Sequence, residues 1–298
     1  MKLTKLRSMQ KRITVTALIF IAPVLIYNII FRIAPIFISL GLSFTSYTGF
    51  KEPVFTGLSN YMKLFSNEEF WNAIYVTFKF SLEVLPLNMI ISLFLAIIVN
   101  YSFKFIGIFR AIYYLPVITP MVAASMIWLW LYDPNLGLFN YLLTFLGFPP
   151  LNFLKDPSTA LESVAVMRIW RGVGWNMLIY LAGLQGIPKQ LYEAASIDGA
   201  KSFRKFFSIT LPLLRNVHFY VLIVGLIHTL QTFTEVYVMT GGGPLGSTTT
   251  VGFLVYRAAF DYLEMGYACA MSFILGIIIM IISVLLFMLN RKKEGELT

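Results

Sequence analysis

Charge is what this sequence has least of. Only 12% of its 298 residues are Asp, Glu, Lys or Arg, against about 25% in an ordinary soluble domain, so a water-surrounded globule is excluded. Cysteine is nearly absent: Cys269 stands alone, cannot form an internal disulfide, and reads as a small packing residue. The two histidines, His218 and His228, have no carboxylate or cysteine at ligand spacing, which argues against a metal centre. No GxxxxGK[ST] phosphate loop occurs, so the chain has no such route to ATP. HExxH and GxSxG motifs and a pair of buried aspartates are also missing, which weighs against an intramembrane enzyme and leaves no catalytic residue to name. Paired broken spans in inverted halves, the mark of many self-sufficient secondary transporters, are not evident. Nor is any soluble domain, fixed-period repeat or low-complexity tail.

What is present is grease: 58% of residues are hydrophobic and 16% aromatic. Apolar runs of about 20 residues, enough to cross a ~30 Å hydrocarbon core as a helix, recur. They lie near residues 13–38, 75–99, 109–131, 161–184, 216–239 and 267–289. The expectation is an all-α integral membrane protein with six transmembrane helices in the lipid bilayer. The net charge of +9 could suggest nucleic acid, but its placement does not. If the N-terminus is cytoplasmic, inner segments hold fifteen Lys and Arg, including Lys2, Arg12, Lys104, Lys201 and Arg291. Outer segments hold four: Lys51, Lys63, Lys155 and Arg257. That positive-inside bias places both termini in the cytoplasm. The basic start ahead of an apolar run superficially resembles a signal peptide, but the run exceeds an h-region and lacks a small-residue cleavage site, so it reads as a retained first span.

Between the spans, residues 44–70 carry Tyr47, Gly49, Pro53 and Gly57, which break any helix, and "SNEEFWNAIYVTF" reads as a cap followed by the second span. Residues 132–160 form a turn-rich external link. The stretch "MTGGGPLGSTTT" cannot be a regular helix.

The cytoplasmic segment from about 185 to 215 is longer than a turn between helices requires. Within it, residues 193–212 read EAASIDGAKSFRKFFSITLP. Gln190 to Ser196 and Lys201 to Phe207 can each form a short helix, Asp198-Gly199 supplies the turn between them, and Pro212 suits the first turn of the next span. Glu193-Ala194-Ala195, three residues, Gly199, nine residues, Ile209, one residue and Leu211-Pro212 match the loop motif of permease subunits of binding-protein-dependent ABC importers. "VITPMVAASMIWLWLYDPNLGLFN", "WRGVGWNMLIYLAGLQGIP" and "FTEVYVMTGGGP" extend the resemblance to the carbohydrate-uptake branch, of maltose or multiple-sugar type.

The resemblance implies a type I importer permease fold in a bacterial or archaeal cell (inner) membrane. It implies a homologous second permease, a cytosolic ABC ATPase dimer holding ATP and Mg, and an extracellular or periplasmic solute-binding protein. This chain itself would bind no cofactor. It also implies a segment at 1–70 with the first helix, a transmembrane domain at 71–290 and a cytoplasmic tail at 291–298. Compared with the larger maltose-type permease, the chain lacks extra N-terminal spans and a large external domain in the 44–70 segment. Tyr192, Glu193, Ala194, Ala195, Asp198, Gly199 and Ala200 form the expected ATPase-coupling loop.

Charged residues inside spans cost about 2.5 to 3.5 kcal/mol each on insertion scales, so each points to function. Glu83, Arg168, Arg171, Gln231, Thr234 and Glu235 fall in the outer halves of three spans, with Arg171 roughly 15 Å deep and Glu235 about 6 Å deep. With Asn176 and the aromatic Trp175, Phe233 and Tyr237, they form the expected pathway for a hydroxyl-rich solute. The competing bland reading pairs Glu83 with Lys79, and Arg168 or Arg171 with Glu235 or Glu83. A sugar or related polyol is the expected cargo. A glycerophosphate gripped by Arg168 and Arg171 is the alternative.

Overall fold

The computed structural model describes the backbone of residues 2–101 and 106–295, and the side chains of 14, 16–101 and 106–291. Lys104, the basic side chains ahead of residue 13 and most of the 291–298 tail, on which the charge asymmetry partly rests, lie outside the described side chains. The chain is mostly helical and divides into two compact units, Met1–Leu64 with Ala258–Phe273, and Phe65–Arg257 with Ile274–Thr298.

In the first unit an apolar helix runs over Thr16–Ser43, 28 residues at mean hydropathy 2.2. Its surface residues, Phe20, Phe31 and Phe37 among them, are exposed, as suits contact with lipid. The 44–70 segment after it is folded. Thr45–Ser46 and Val54–Phe55 pair as a short antiparallel ribbon, with Gly49 at φ 88° and Gly57 at φ 61° turning the chain around it. Asn60 donates to the carbonyls of Ser43 and Thr45 at 2.8 and 2.9 Å. Lys63 pairs with Glu264 at 2.7 Å and lies over the Tyr267 ring.

The second unit is built on two helices, Glu68–Asn100 and Ala160–Gln185, which share the most extensive contact. Asn67 caps the first of these through Glu69 N–H at 2.8 Å, as the sequence "SNEEF" suggests. Lipid tails give helices no hydrophobic reason to associate, so close packing on small residues holds them. A Cβ at Gly174 would strike the backbone carbonyl of Tyr113, where Ile106–Ile118 crosses. Arg215–Leu230 closes in the same way, with Gly225 against Leu85 and Gly183 against Leu214 and Val217.

Among the described residues, three helices are long and apolar enough to cross a membrane, and two bent pairs raise that to as many as five. Ala160–Gln185 is also long enough at 26 residues, but Glu162, Arg168 and Arg171 reduce its apolar character. Three expectations need correction. The run at 109–131 is not one helix: Ile106–Ile118 and Met121–Leu131 meet at 100°. Pro120 lacks an N–H and biases Thr119 out of helical geometry, which breaks the run. The run at 216–239 stops at Leu230 and resumes as Thr234–Met239. There the freed carbonyl of Thr232 accepts from the Thr250 hydroxyl at 2.9 Å. Glu235 therefore lies on a separate short helix, and a depth counted along the fifth span does not apply to it. Finally, the 132–160 link contains a helix, Leu138–Phe145. Asp133 accepts from the N–H groups of Asn135 and Leu136, which hold its carboxyl below the usual range.

Trp128 is buried among Tyr132, Phe139 and Trp170, whereas Trp130 is exposed. Replacing Gly174 with Ala is expected to cost about 1 to 3 kcal/mol by overpacking. Gly276→Ala, where nothing lies within 4 Å of the added methyl, should be neutral. Melting of the detergent-solubilised variants measures the difference.

Candidate functional site

Two sites emerge, an exposed projection and a polar cavity among the helices. The projection begins at Lys189–Ile197, a nine-residue helix behind Pro188. It ends in a fixed pattern: Ala200 N–H donates to the carbonyl of Ala195 at 2.8 Å and Gly199 N–H to that of Ser196 at 3.1 Å, with Gly199 at φ 75°. This is the Schellman arrangement, in which glycine takes the left-handed position and the flanking small residues meet. Of the motif positions, Gly199 supplies the left-handed conformation of this helix stop and Ala195 one of its acceptor carbonyls, while Ser196 and Ala200 lie outside the motif.

The second helix is shorter than expected. Ser202–Lys205 passes into a wider turn at Phe206–Thr210. Pro212 lies in Leu211–Leu213, not in the first turn of the next span: the Ser202–Leu213 stretch makes a 63° angle with Arg215–Leu230, and buried Leu214 forms the bend. Lys205 bonds Ser196 at 2.6 Å and the Tyr192 hydroxyl meets that of Thr210 at 2.9 Å, tying both arms together. Glu193, Ala194 and Asp198 are exposed, Ile197 is 87% exposed and Phe203 76%. Ala195, Ala200, Arg204 and Ile209 line a recess of about 240 Å³ between the arms.

The membrane cavity encloses about 300 Å³, and its walls include Asn88, Arg168, Arg171, Trp175, Asn176 and His228. Arg168 Nε lies 3.5 Å from Glu235 Oε1, and Glu235, only 3% exposed, also accepts from Thr232 at 3.1 Å. Arg171 reaches instead to the carbonyls of Val117 and Thr119, at 3.4 and 3.3 Å, where the third run breaks. Asn176 donates to Asn88 Oδ1 at 2.7 Å, and Asn88 donates onward to the Ile169 carbonyl at 3.2 Å.

Four expected pathway residues meet at this cavity: Arg168, Arg171, Trp175 and Asn176. Others are elsewhere. Glu83 pairs with Lys79 at 3.5 Å, and Lys79 binds Glu162 more closely at 2.7 Å. Gln231 ends its helix, and Thr234 begins the next. Phe233 and Tyr237 stack at 5.5 Å and pack on Tyr256. Asn88 and His228 are cavity residues not among the expected set. Asn88 had a readable signal: it and Ser92 stand four apart in an apolar run, hence on one helix face. His228 had none.

The description "binding-protein-dependent transport system inner membrane component" matches residues 88–294. The chain belongs to this family, whose members are multi-pass permease subunits of ABC importers. It is 38% identical over 273 residues to the probable ABC transporter permease protein YesP of Bacillus subtilis, covering 90% of this chain and 88% of that protein. It is 39% identical over 249 residues to the trehalose/maltose transport system permease protein MalF of Thermococcus litoralis, covering 83% of each. It is 37% identical over 240 residues to the sn-glycerol-3-phosphate transport system permease protein UgpA of Yersinia pestis, covering 80% of this chain and 81% of that protein. Its fold is that of a chain in a bacterial ABC transporter that imports the acidic polysaccharide alginate: TM-score 0.83 over 97% of this chain and 99% of that one, at 24% identity.

Asn88→Ala removes the acceptor of Asn176 and of Ser92 inside a buried wall. A loss of about 1 to 3 kcal/mol is expected from the stranded polar groups. Melting of the purified variant against the parent measures it, and an unchanged midpoint would remove Asn88 from the account.

Proposed function

We propose that this permease forms half of the translocation pathway of an ATP-driven importer for a sugar, an oligosaccharide or a related polyol. The observation that carries the reading is the projection at 189–205, whose helix stop turns on the motif's Gly199 and whose Glu193 and Ala194 face outward. A cytosolic ATPase would dock there, and Tyr192, Glu193, Ala194, Ala195, Asp198, Gly199 and Ala200 would carry its closure into the helices. ATP and Mg belong to that partner. A homologous second permease would complete the pathway and a solute-binding protein would deliver cargo from outside. In this reading the chain crosses the membrane six times with both ends inside.

The cavity favours a neutral polyhydroxylated solute over a phosphate ester. Arg168 is already matched by Glu235, and Arg171 spends Nη2 on backbone carbonyls although its buried Nε has no partner. A bidentate grip on a phosphate takes two adjacent N–H groups of one fork, and it would compete with the carboxylate at Arg168 and with the Nη2 bonds at Arg171. Asn88, Asn176, Trp175 and His228 remain as groups suited to hydroxyls and to the apolar face of a sugar ring.

Reconstitution with the partner subunits and solute-binding protein should give ATP-dependent uptake of maltose- or trehalose-like sugars. Uptake of sn-glycerol 3-phosphate alone, or uptake that ignores ATP, would overturn the reading. Cysteines at Lys155 and Lys201 should react with an impermeant reagent from opposite sides; labelling of both from outside defeats the topology. Gly199 offers a sharper test of the loop, because nothing lies within 4 Å of an added Cβ and only its backbone angle is at stake. Gly199→Val should lose about 1 to 3 kcal/mol of local order and uncouple hydrolysis from uptake. Gly199→Asn should retain coupling, since Asn tolerates the left-handed region.

A further inference from the structure

Arg168 and Arg171 are one turn apart on Ala160–Gln185 and hold different partners. Arg168 holds Glu235, on the short helix Thr234–Met239. Arg171 holds the carbonyls of Val117 and Thr119, at the break before Met121–Leu131. Those two segments pack against each other. Arg168 therefore tethers the body that these two segments form, while Arg171 holds the break at Val117 and Thr119 from which Met121–Leu131 starts. Each tether lies on the wall of the same cavity.

We propose that Arg168 and Arg171 are positioning residues for translocation: together they clamp this body over the cavity, and separation of Arg168 from Glu235 opens it. The body has a joint on which to move. Phe233, between Leu230 and Thr234, is non-helical at φ −144° and ψ −59°, and Thr119–Pro120 interrupts the other run. The Arg168–Glu235 contact of 3.5 Å is longer than the ~2.8 Å of a strong charge-assisted hydrogen bond, so it can part without the rest of the wall unfolding. It still matters to the closed state, because removing one partner leaves a buried charge uncompensated. Solute hydroxyls entering the cavity meet the same guanidinium edges and compete for them. Arg171 has a separate task, which is to hold the break at Val117 and Thr119 on the wall as the fixed point about which the body moves.

The test uses the assembled transporter, with Cys269→Ser as background and Val224→Cys, a cavity residue, as reporter of access to a water-soluble maleimide. Arg168→Glu and Glu235→Arg should each speed labelling about tenfold and raise ATP hydrolysis without solute, as loss of a buried charge partner implies. The double swap should return both readouts to within about twofold of the parent, a rescue that lost packing alone would not give. Single reversals that label at the parental rate, or a double swap no better than the singles, overturn the clamp. Where a reversal fails to assemble, Glu235→Gln keeps the shape and removes the charge, and the same labelling rate decides. The transport readout rests on the importer reading, while labelling does not: a parent complex that moves no sugar defeats the former and leaves the labelling cycle to judge the clamp.

Discussion

The constraint on which this structure depends is that a backbone carbonyl in hydrocarbon must find its donor inside the protein. Every place where a helix ends or breaks at depth therefore needs a supplied group. Arginine supplies two of them. Arg110 reaches the Val99 carbonyl at the end of Glu68–Asn100, and Arg171 those of Val117 and Thr119. A threonine supplies another, Thr250 to Thr232. A cation at a helix C-terminus also meets the negative end of the helix dipole, so the same group satisfies a hydrogen bond and has its charge partly balanced. Positive charge inside the apolar region is thus tied to the broken spans, and the broken spans to the cavity they surround.

This explains which features were legible in the sequence. Composition and apolar runs reveal a helical membrane protein, because burying about 20 apolar residues in lipid leaves few alternatives. The loop motif was legible for a different reason. Its glycine records a backbone geometry, the left-handed helix stop at Gly199, and such geometry tolerates few residue types. The breaks at Thr119–Pro120 and Gln231–Phe233 were not recovered. Each carries a local signal, Pro120 in one and the polar QTFTE in the other, but a window of about 20 residues passes over both, and the donor that satisfies the Thr232 carbonyl stands eighteen residues away.

The candidate cavity was half legible on similar grounds. Arg168, Arg171 and Asn176 stand out as polar groups in an apolar helix, and residues three or four apart on a helix share a face. Their partners could not be assigned. Counting depth along an unbroken fifth span put Glu235 near the outer end, within reach of either arginine. The break moves it to a separate short helix, where it meets Arg168 and leaves Arg171 for the carbonyls. Glu83 was read as either a pathway residue or a local partner of Lys79; the contact with Lys79 exists, with Glu162 as a closer third member.

Small residues complete the argument, because clamping by arginine works only if the helices come close enough for its reach. Gly172 lets Asn88 approach Ala160–Gln185, since a Cβ there would stand 2.7 Å from the Asn88 amide nitrogen. Gly174 lets Ile106–Ile118 cross so near that its end falls within range of Arg171. The sequence WRGVGWN thus alternates a group that grips with a group that yields space: Arg171 grips, Gly172 and Gly174 yield, and Trp175 and Asn176 face the cavity so formed. A bulkier residue at Gly174 would push Ile106–Ile118 off Ala160–Gln185 and lengthen the bonds of Arg171 beyond hydrogen-bonding range, and one at Gly172 would displace the Asn88 amide. Packing and polarity at this site are one requirement, since the close approach supplies the geometry that makes a buried arginine tolerable.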